Sequence, residues 1–342
     1  MLSFYQMTQD ELREWFQNQK ASPTSTDILF KHLYKFKRKN VPKDESLSKH
    51  TWEILNKLDF SLPEIIRAEK SQDGTLKFLM KLIDGLTIEC VLIHFQGKYS
   101  LCVSSQAGCA MKCSFCYTGQ MGLKRHLKTQ EIIGQFIKSW QWLDENLPEG
   151  DRIRNIVFMG QGEPLHNFDA IKKACEILID QKGTSVGVQR ITVSTSGFLP
   201  GLKRWVKEMP PVNIALSLHS TERKKRSELI PINEKYPLHE VMRELKSIPL
   251  NRKQFITYEY LLINDFNDSA EDARNLGELL KDHNSLINLI PFNPFPGSTY
   301  KRPSKERVEH FHKILQSHYD IPSFIRSTKG DEILAACGQL NT

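Results

Sequence analysis

Cys109, Cys113 and Cys116 lie in the segment GCAMKCSFCYTG with the spacing C-x-x-x-C-x-x-C. Three thiolates on so short a loop suit three irons of a [4Fe–4S] cube and leave the fourth iron open to a substrate or cofactor. A structural zinc site is normally closed by four ligands, and His126 is the one near candidate for a fourth. The loop is expected between a strand and a helix rather than on a free-standing knuckle, which favours the open iron centre. Phe115 and Tyr117, on either side of Cys116, predict a partly apolar shell of the kind that tunes cluster potential.

Other residues with chemistry fall at the ends of expected strands. Gly160-Gln161-Gly162-Glu163-Pro164 follows one strand; glycine lets backbone approach a ligand, and the Glu163 carboxylate suits a ligand ammonium. Ser194 ends the next strand, Ser217-Leu218-His219 the one after, and Asn293 follows a later one in IPFNPFPG. Singly, each is explained by capping of the following helix or turn; four in succession suggest a cofactor cradle. Of the seven cysteines, Cys90 and Cys175 read as small buried hydrophobes. Cys102 precedes the cluster loop. Cys337 sits in a tail of small residues, Ala335-Ala336-Cys337-Gly338, slim enough to enter a crowded site.

The elements that must position these groups divide the 342 residues into unequal parts. Residues 1–75 read as a small helical N-terminal domain that serves RNA binding, with helices over Asp10–Gln19, Thr26–Phe36 and Leu47–Leu58. Residues 76–94 read as a β-hairpin extension turning at Asp84-Gly85. In 95–342, strands from Tyr99–Ser104 onward alternate with helices from Thr129–Leu143 onward, with Thr129 as that helix's N-cap. Such alternation predicts an α/β fold with a mostly parallel sheet wrapped by helices. Six or so units are too few for a closed eight-unit barrel, so a partial (β/α)6 barrel is expected, active at the carboxyl ends of its strands.

The net charge of +7 suits a polyanionic partner, although alone it fits an ordinary basic protein equally. The run Lys35, Lys37, Arg38, Lys39 and Lys43 becomes a phosphate-contacting surface if the partner is nucleic acid. Met1 to Asp10 carries no basic-plus-apolar leader, and no apolar run approaches the ~20 residues of a membrane span. With an odd cysteine count and three of them clustered, the expectation is a cytoplasmic, reduced chain. A monomer with no membrane partner is expected.

Taken together, LCVSSQAGC with the two cysteines after it, MGQGEP, VSTSG, SLH, PFNPFPG and AACGQL resemble the RlmN/Cfr family of radical S-adenosylmethionine RNA methyltransferases, from about Ile88 to the end of the chain. The resemblance implies a [4Fe–4S] cluster on Cys109, Cys113 and Cys116, and S-adenosylmethionine held by Gly162, Glu163, Ser194, Ser217, Leu218, His219 and Asn293. It implies that Cys337 takes a methyl group from one S-adenosylmethionine. A deoxyadenosyl radical from a second then removes hydrogen from that S-methyl group, and the carbon adds to adenine. Glu89 takes the place of the proton acceptor, and Cys102 attacks Cys337 to form a transient disulfide and release the methylated base. The target so implied is C2 of adenosine 2503 in 23S rRNA, with adenosine 37 of certain tRNAs as a second substrate and flavodoxin or ferredoxin as reductant. C8 methylation of the same adenosine, and a glycyl-radical activase, are the alternatives. Leu334 departs from the acidic residue more usual in the C2-methylating branch. RNA contacts are expected from Lys124, Arg125 and Lys128 and from Arg223, Lys224, Lys225 and Arg226 around the barrel mouth.

Overall fold

A computed structural model describes residues 1–41, 47–147, 152–250 and 254–341. One ten-stranded sheet organises it. Glu64–Lys70, Leu76–Lys81, Thr87–Phe95 and Lys98–Cys102 form an antiparallel meander. Beyond Lys98–Cys102 come Arg152–Phe158, Ile191–Thr195, Asn213–Ser217, Ile256–Leu262, Ser285–Pro291 and Ser323–Ile325, each parallel to the one before. Parallel neighbours need a crossover, and helices such as Thr129–Asn146, Phe168–Ile179, Leu199–Glu208, Leu238–Lys246 and Ala270–Leu280 supply them. Glu64–Lys70 and Ser323–Ile325 end the sheet as its two edges, so the barrel is partial. The expected α/β partial barrel with N-terminal helices is the fold observed.

Strand Ile256–Leu262 shows how the pattern aims side chains. Tyr258 and Tyr260 belong to the main core under the helices, where Tyr260 packs on Phe311. Successive strand residues alternate faces, so Glu259 and Leu261 point the other way, and Leu261 joins an apolar cluster with Cys109 and Cys113.

The N-terminal segment differs in detail from the sequence expectation. The second helix is Thr24–Phe30 continued by a π-helical turn, Lys31–Lys35. The third is only Lys49–Leu55, because Leu58–Asp59 pairs in parallel with Leu2–Ser3. Glu64–Lys70 is the outer strand of the large sheet. Aromatic packing of Phe4 on Tyr34 and Phe60 holds this region together. Lys37 does not serve the basic surface: it is buried, its ammonium lies 3.8 Å from the Trp140 ring centroid, and burial lowers its pKa to about 8. Lys35, Arg38 and Lys39 are exposed; Lys43 lies outside the described residues. Thr129 is the first helical residue rather than the cap; Lys128 takes the cap position, and its N–H donates to the Glu131 carboxylate at 2.8 Å. Among the described residues no helix is long and apolar enough to cross a membrane.

Candidate active site

The cysteine loop leaves strand Lys98–Cys102 and is clasped by a small antiparallel pair, Gln106–Gly108 with Leu123–His126. Gly108 must be glycine. Its φ is +75°, and a Cβ there would stand 1.9 Å from the Gly122 carbonyl oxygen, which accepts the Cys109 N–H at 3.0 Å. Around Cys109 and Cys113 gather Met111, Leu229, Ile230, Leu261, Ile263, Phe292 and Phe295, with Phe115, Cys116 and Tyr117 packed against them. The apolar shell predicted from Phe115 and Tyr117 is present and larger than the loop itself supplies.

Burial pushes the Cys109 thiol up to about 12 and those of Cys113 and Cys116 above their ordinary value, with Cys109 and Cys116 adding to the rise at Cys113. Such thiols ionise once a cation replaces the missing solvation. Among the described residues no three thiol, imidazole or carboxylate groups converge on a single ion. A cube takes one thiolate per iron, so its three ligands stand farther apart than those of one metal. The donor set and its dry surroundings fit an iron–sulfur cluster.

The strand-end stations face the same lumen. Glu163 is buried, and Gly162 before it has φ +102° with no room for a Cβ beside Gln106 and Ser105. The Glu163 carboxylate accepts the Ser196 N–H at 2.8 Å, the Ser196 hydroxyl at 2.7 Å and the Leu165 N–H at 3.1 Å. Burial raises its pKa, and the Ser196 bonds oppose that rise. Ser194 lies on the neighbouring strand, aligned with Ala215. Ser217 is aligned with Glu259 across the next pair. His219 has φ +57° and is buried; its Nδ1 accepts the Leu261 N–H at 3.0 Å, which places the ring proton on Nε2. The Phe115 ring meets it edge-on at 4.6 Å, and burial holds its pKa down to about 3.

The C-terminal tail closes the site. Asn293 donates through Nδ2 to the Cys337 carbonyl at 3.3 Å, and its Oδ1 accepts from Arg302 and Thr328. The Tyr117 N–H donates to the Gly338 carbonyl at 2.7 Å, and the Thr118 hydroxyl to that of Leu340 at 2.6 Å. Gln339, buried, donates to the Pro294 carbonyl and to Asp331. Cys337 is thereby pinned between the cysteine loop and the exit of strand Ser285–Pro291, with its side chain exposed. Cys102 packs with Ala335 and Leu340 of the tail; burial raises its pKa, and a charge on nearby Cys337 would raise it further. Both thiols are free. Glu89, fully buried, accepts the Asn341 N–H at 2.9 Å and pairs with Lys77 at 3.4 Å.

Residues 103–277 match the Radical SAM superfamily. The chain is 39% identical to the dual-specificity RNA methyltransferase RlmN of Syntrophobacter fumaroxidans, over 97% of this chain and 96% of that protein. It is 40% identical to the probable dual-specificity RNA methyltransferase RlmN of Aquifex aeolicus, over 98% and 96%. The chain belongs to the RlmN family. The crystal structure of a radical SAM methyltransferase from Sphaerobacter thermophilus superposes on this RlmN-family chain with a TM-score of 0.89, at 34% identity over 99% of both chains. The family implies an iron–sulfur cluster and S-adenosylmethionine as cofactors.

Several residues that shape this RlmN-family site carried no sequence signal for the part they play. Arg226, read as an RNA contact, is almost fully buried and donates to the carbonyls of Leu218, Ser196 and Ser217 and to Asn233. It braces the turn that carries His219. The basic run hid a helix, Arg223–Leu229, that turns this one guanidinium inward. Of the other expected contacts, Lys225 pairs with Asp272, Arg125 with Asp84 and Glu131, and Arg223 with Glu234. Lys124, Lys128 and Lys224 are exposed. Buried Gln161 accepts the Glu89 N–H at 3.1 Å, tying the turn that carries Glu163 to the strand under the tail. Glu259 is a buried lumen carboxylate that accepts from Asn288 at 2.9 Å.

Proposed function

We propose that this RlmN-family methyltransferase places a methyl group on C2 of adenosine 2503 in 23S rRNA and on adenosine 37 of tRNA, with Cys337 as methyl carrier. The observation that carries this is the docked tail: Asn293, Tyr117 and Thr118 hold Cys337 and its neighbours over the three-cysteine loop, beside Cys102. An amidine carbon is no nucleophile, so direct transfer from a sulfonium does not reach it. Bound cluster and S-adenosylmethionine supply the one-electron chemistry that such a carbon needs.

The chain's residues have distinct parts. Cys109, Cys113 and Cys116 hold the cluster. Gly162, Glu163, Ser194, Ser217, Leu218, His219 and Asn293 hold the cofactor, with Glu163 facing the ammonium and neutral His219 offering Nε2–H as donor. Cys337 gives up its thiol proton on methylation and later presents the methyl group to the base. Glu89 receives the ring proton. The Cys102 thiolate attacks the Cys337 sulfur; the bond from that sulfur to the transferred carbon breaks, the carbon keeps its electron pair and takes a proton to become the methyl group, and a Cys102–Cys337 disulfide is left for reduction. Two S-adenosylmethionine molecules are consumed per methylation, a flavodoxin or ferredoxin supplies electrons, and the monomer is the working unit.

Nucleoside mass spectrometry of rRNA and tRNA from cells with and without the gene tests this reading. Loss of 2-methyladenosine from both RNAs is the expected result. A missing 8-methyladenosine instead would move the reaction to C8, and unchanged RNA would refute the substrate assignment.

A further inference from the structure

Four rings line the rim of the barrel without belonging to the cofactor cradle. His126 ends the hairpin after the cysteine loop, and His166 lies in the turn after strand Arg152–Phe158. Phe198 caps the helix after strand Ile191–Thr195, and Tyr236 precedes helix Leu238–Lys246. Their centroids follow one another at 4.8, 5.0 and 5.8 Å, so three successive strand-to-helix connections and the hairpin form a continuous aromatic row. The interplanar angles are 85°, 47° and 90°, so no two neighbouring rings lie parallel. His126 is exposed and the other three are half-buried.

The row is fixed to the cofactor turn. Gln106 accepts the Glu163 N–H through Oε1 at 2.8 Å, which aims its amide nitrogen at Nδ1 of His126 (2.9 Å) and of His166 (3.3 Å). Each Nδ1 therefore serves as an acceptor, and each imidazole is neutral with its proton on Nε2. Burial lowers both pKa values in the same sense. Neutral, planar rings suit stacking on bases better than binding of phosphates. Cations stand at the two ends: Lys124 and Lys128 beside His126, and Lys235, whose ammonium lies 5.3 Å from the Tyr236 centroid.

We propose that this row is a stacking platform for unpaired RNA nucleotides next to the target adenosine, with the end lysines on their phosphates. Aromatic faces interleaved with cations are what single-stranded RNA recognition uses, because every base has a π-face and every linkage a charge. An enzyme that must reach C2 inside a loop needs neighbouring bases held apart from the one that enters. The row's attachment through Gln106 to the Glu163 turn sets those bases in register with the cofactor. The inference rests on the RNA methyltransferase reading above.

The test is binding of a stem-loop RNA that carries 2-aminopurine beside the loop adenosine. Stacking quenches the probe on wild-type enzyme. Phe198→Ala and Tyr236→Ala are expected to relieve the quenching and to raise Kd and KM for RNA on the order of ten-fold each. Phe198→Trp restores both, and methylation of Cys337 in the absence of RNA stays as in the wild type. Unchanged quenching and KM in both alanine variants, while wild-type enzyme still methylates the RNA, would overturn the platform and leave the enzyme reading standing. Wild-type enzyme that neither binds nor methylates the RNA would instead defeat that underlying reading.

Discussion

The Glu89 carboxylate accepts the backbone N–H of Asn341 at 2.9 Å, four residues beyond Cys337, while its other oxygen faces Lys77 at 3.4 Å. One side chain thus joins the sheet to the tail that carries Cys337. Glu89→Gln keeps an acceptor for Asn341 but cannot receive a proton, whereas Glu89→Ala loses both. Limited proteolysis is expected to leave the tail protected in Glu89→Gln and cleave it in Glu89→Ala. If Glu89 is the proton acceptor, Glu89→Gln loses on the order of 100-fold or more in turnover and accumulates RNA–protein adduct. Near-normal turnover in Glu89→Gln would reduce the residue to an anchor.

His219 contributes stability that depends on pH. Burial lowers its folded pKa to about 3, below the ordinary 6.5. Between those values the unfolded chain binds a proton that the folded chain does not, so this contribution falls as pH drops from 6.5 towards 3. Urea unfolding followed across that range should lose less stability in His219→Asn than in the wild type. Asparagine tolerates φ +57° and can accept the Leu261 N–H without titrating. Identical pH profiles would contradict the assignment.

Arg226 should behave as internal structure. Arg226→Ala removes a donor from the Ser196 and Ser217 carbonyls and Asn233, and one of two from the Leu218 carbonyl, for an expected loss of about 3–5 kcal/mol in urea unfolding. Lys224→Ala on the exposed side of the same helix should stay within about 0.5 kcal/mol of wild type. Comparable small effects from both would refute the brace.

Much of this was legible before the structure, for a physical reason. Strand periodicity and strand-end placement are local, so the alternation from Tyr99 onward and the stations at Glu163, Ser194, Ser217 and Asn293 could be read from spacing. Arg226 could not, because its partners at Ser196, Ser217 and Leu218 lie at the ends of two other strands, and a cation among cations shows no sign of turning inward. Lys37 was misread for the same reason: Trp140, which receives its charge, lies a hundred residues away in sequence. Glu64–Lys70 failed differently. Its isoleucines and charges lack strict alternation, and pairing with Leu76–Lys81 decides its state. Cys102 and Cys337 were linked by family resemblance alone; the structure adds the packing of Cys102 on Ala335 and Leu340.

Gly108 offers a test of the cluster loop. Gly108→Ala forces a Cβ into the Gly122 carbonyl at a φ of +75°. Anaerobically reconstituted variant is expected to hold substoichiometric iron and sulfide, while Gly85→Ala, at a hairpin turn with open space around it, binds a full complement. Full loading of Gly108→Ala would contradict the clasp.

The central claim is that Cys337, held by the docked tail, carries the methyl group into the base. The most direct measurement is anaerobic assay of Cys337→Ala with reductant, S-adenosylmethionine and RNA, reading cofactor cleavage and RNA methylation in one sample. The predicted result is continued cleavage of S-adenosylmethionine with no methylated adenosine. Methylated RNA from Cys337→Ala would contradict the account.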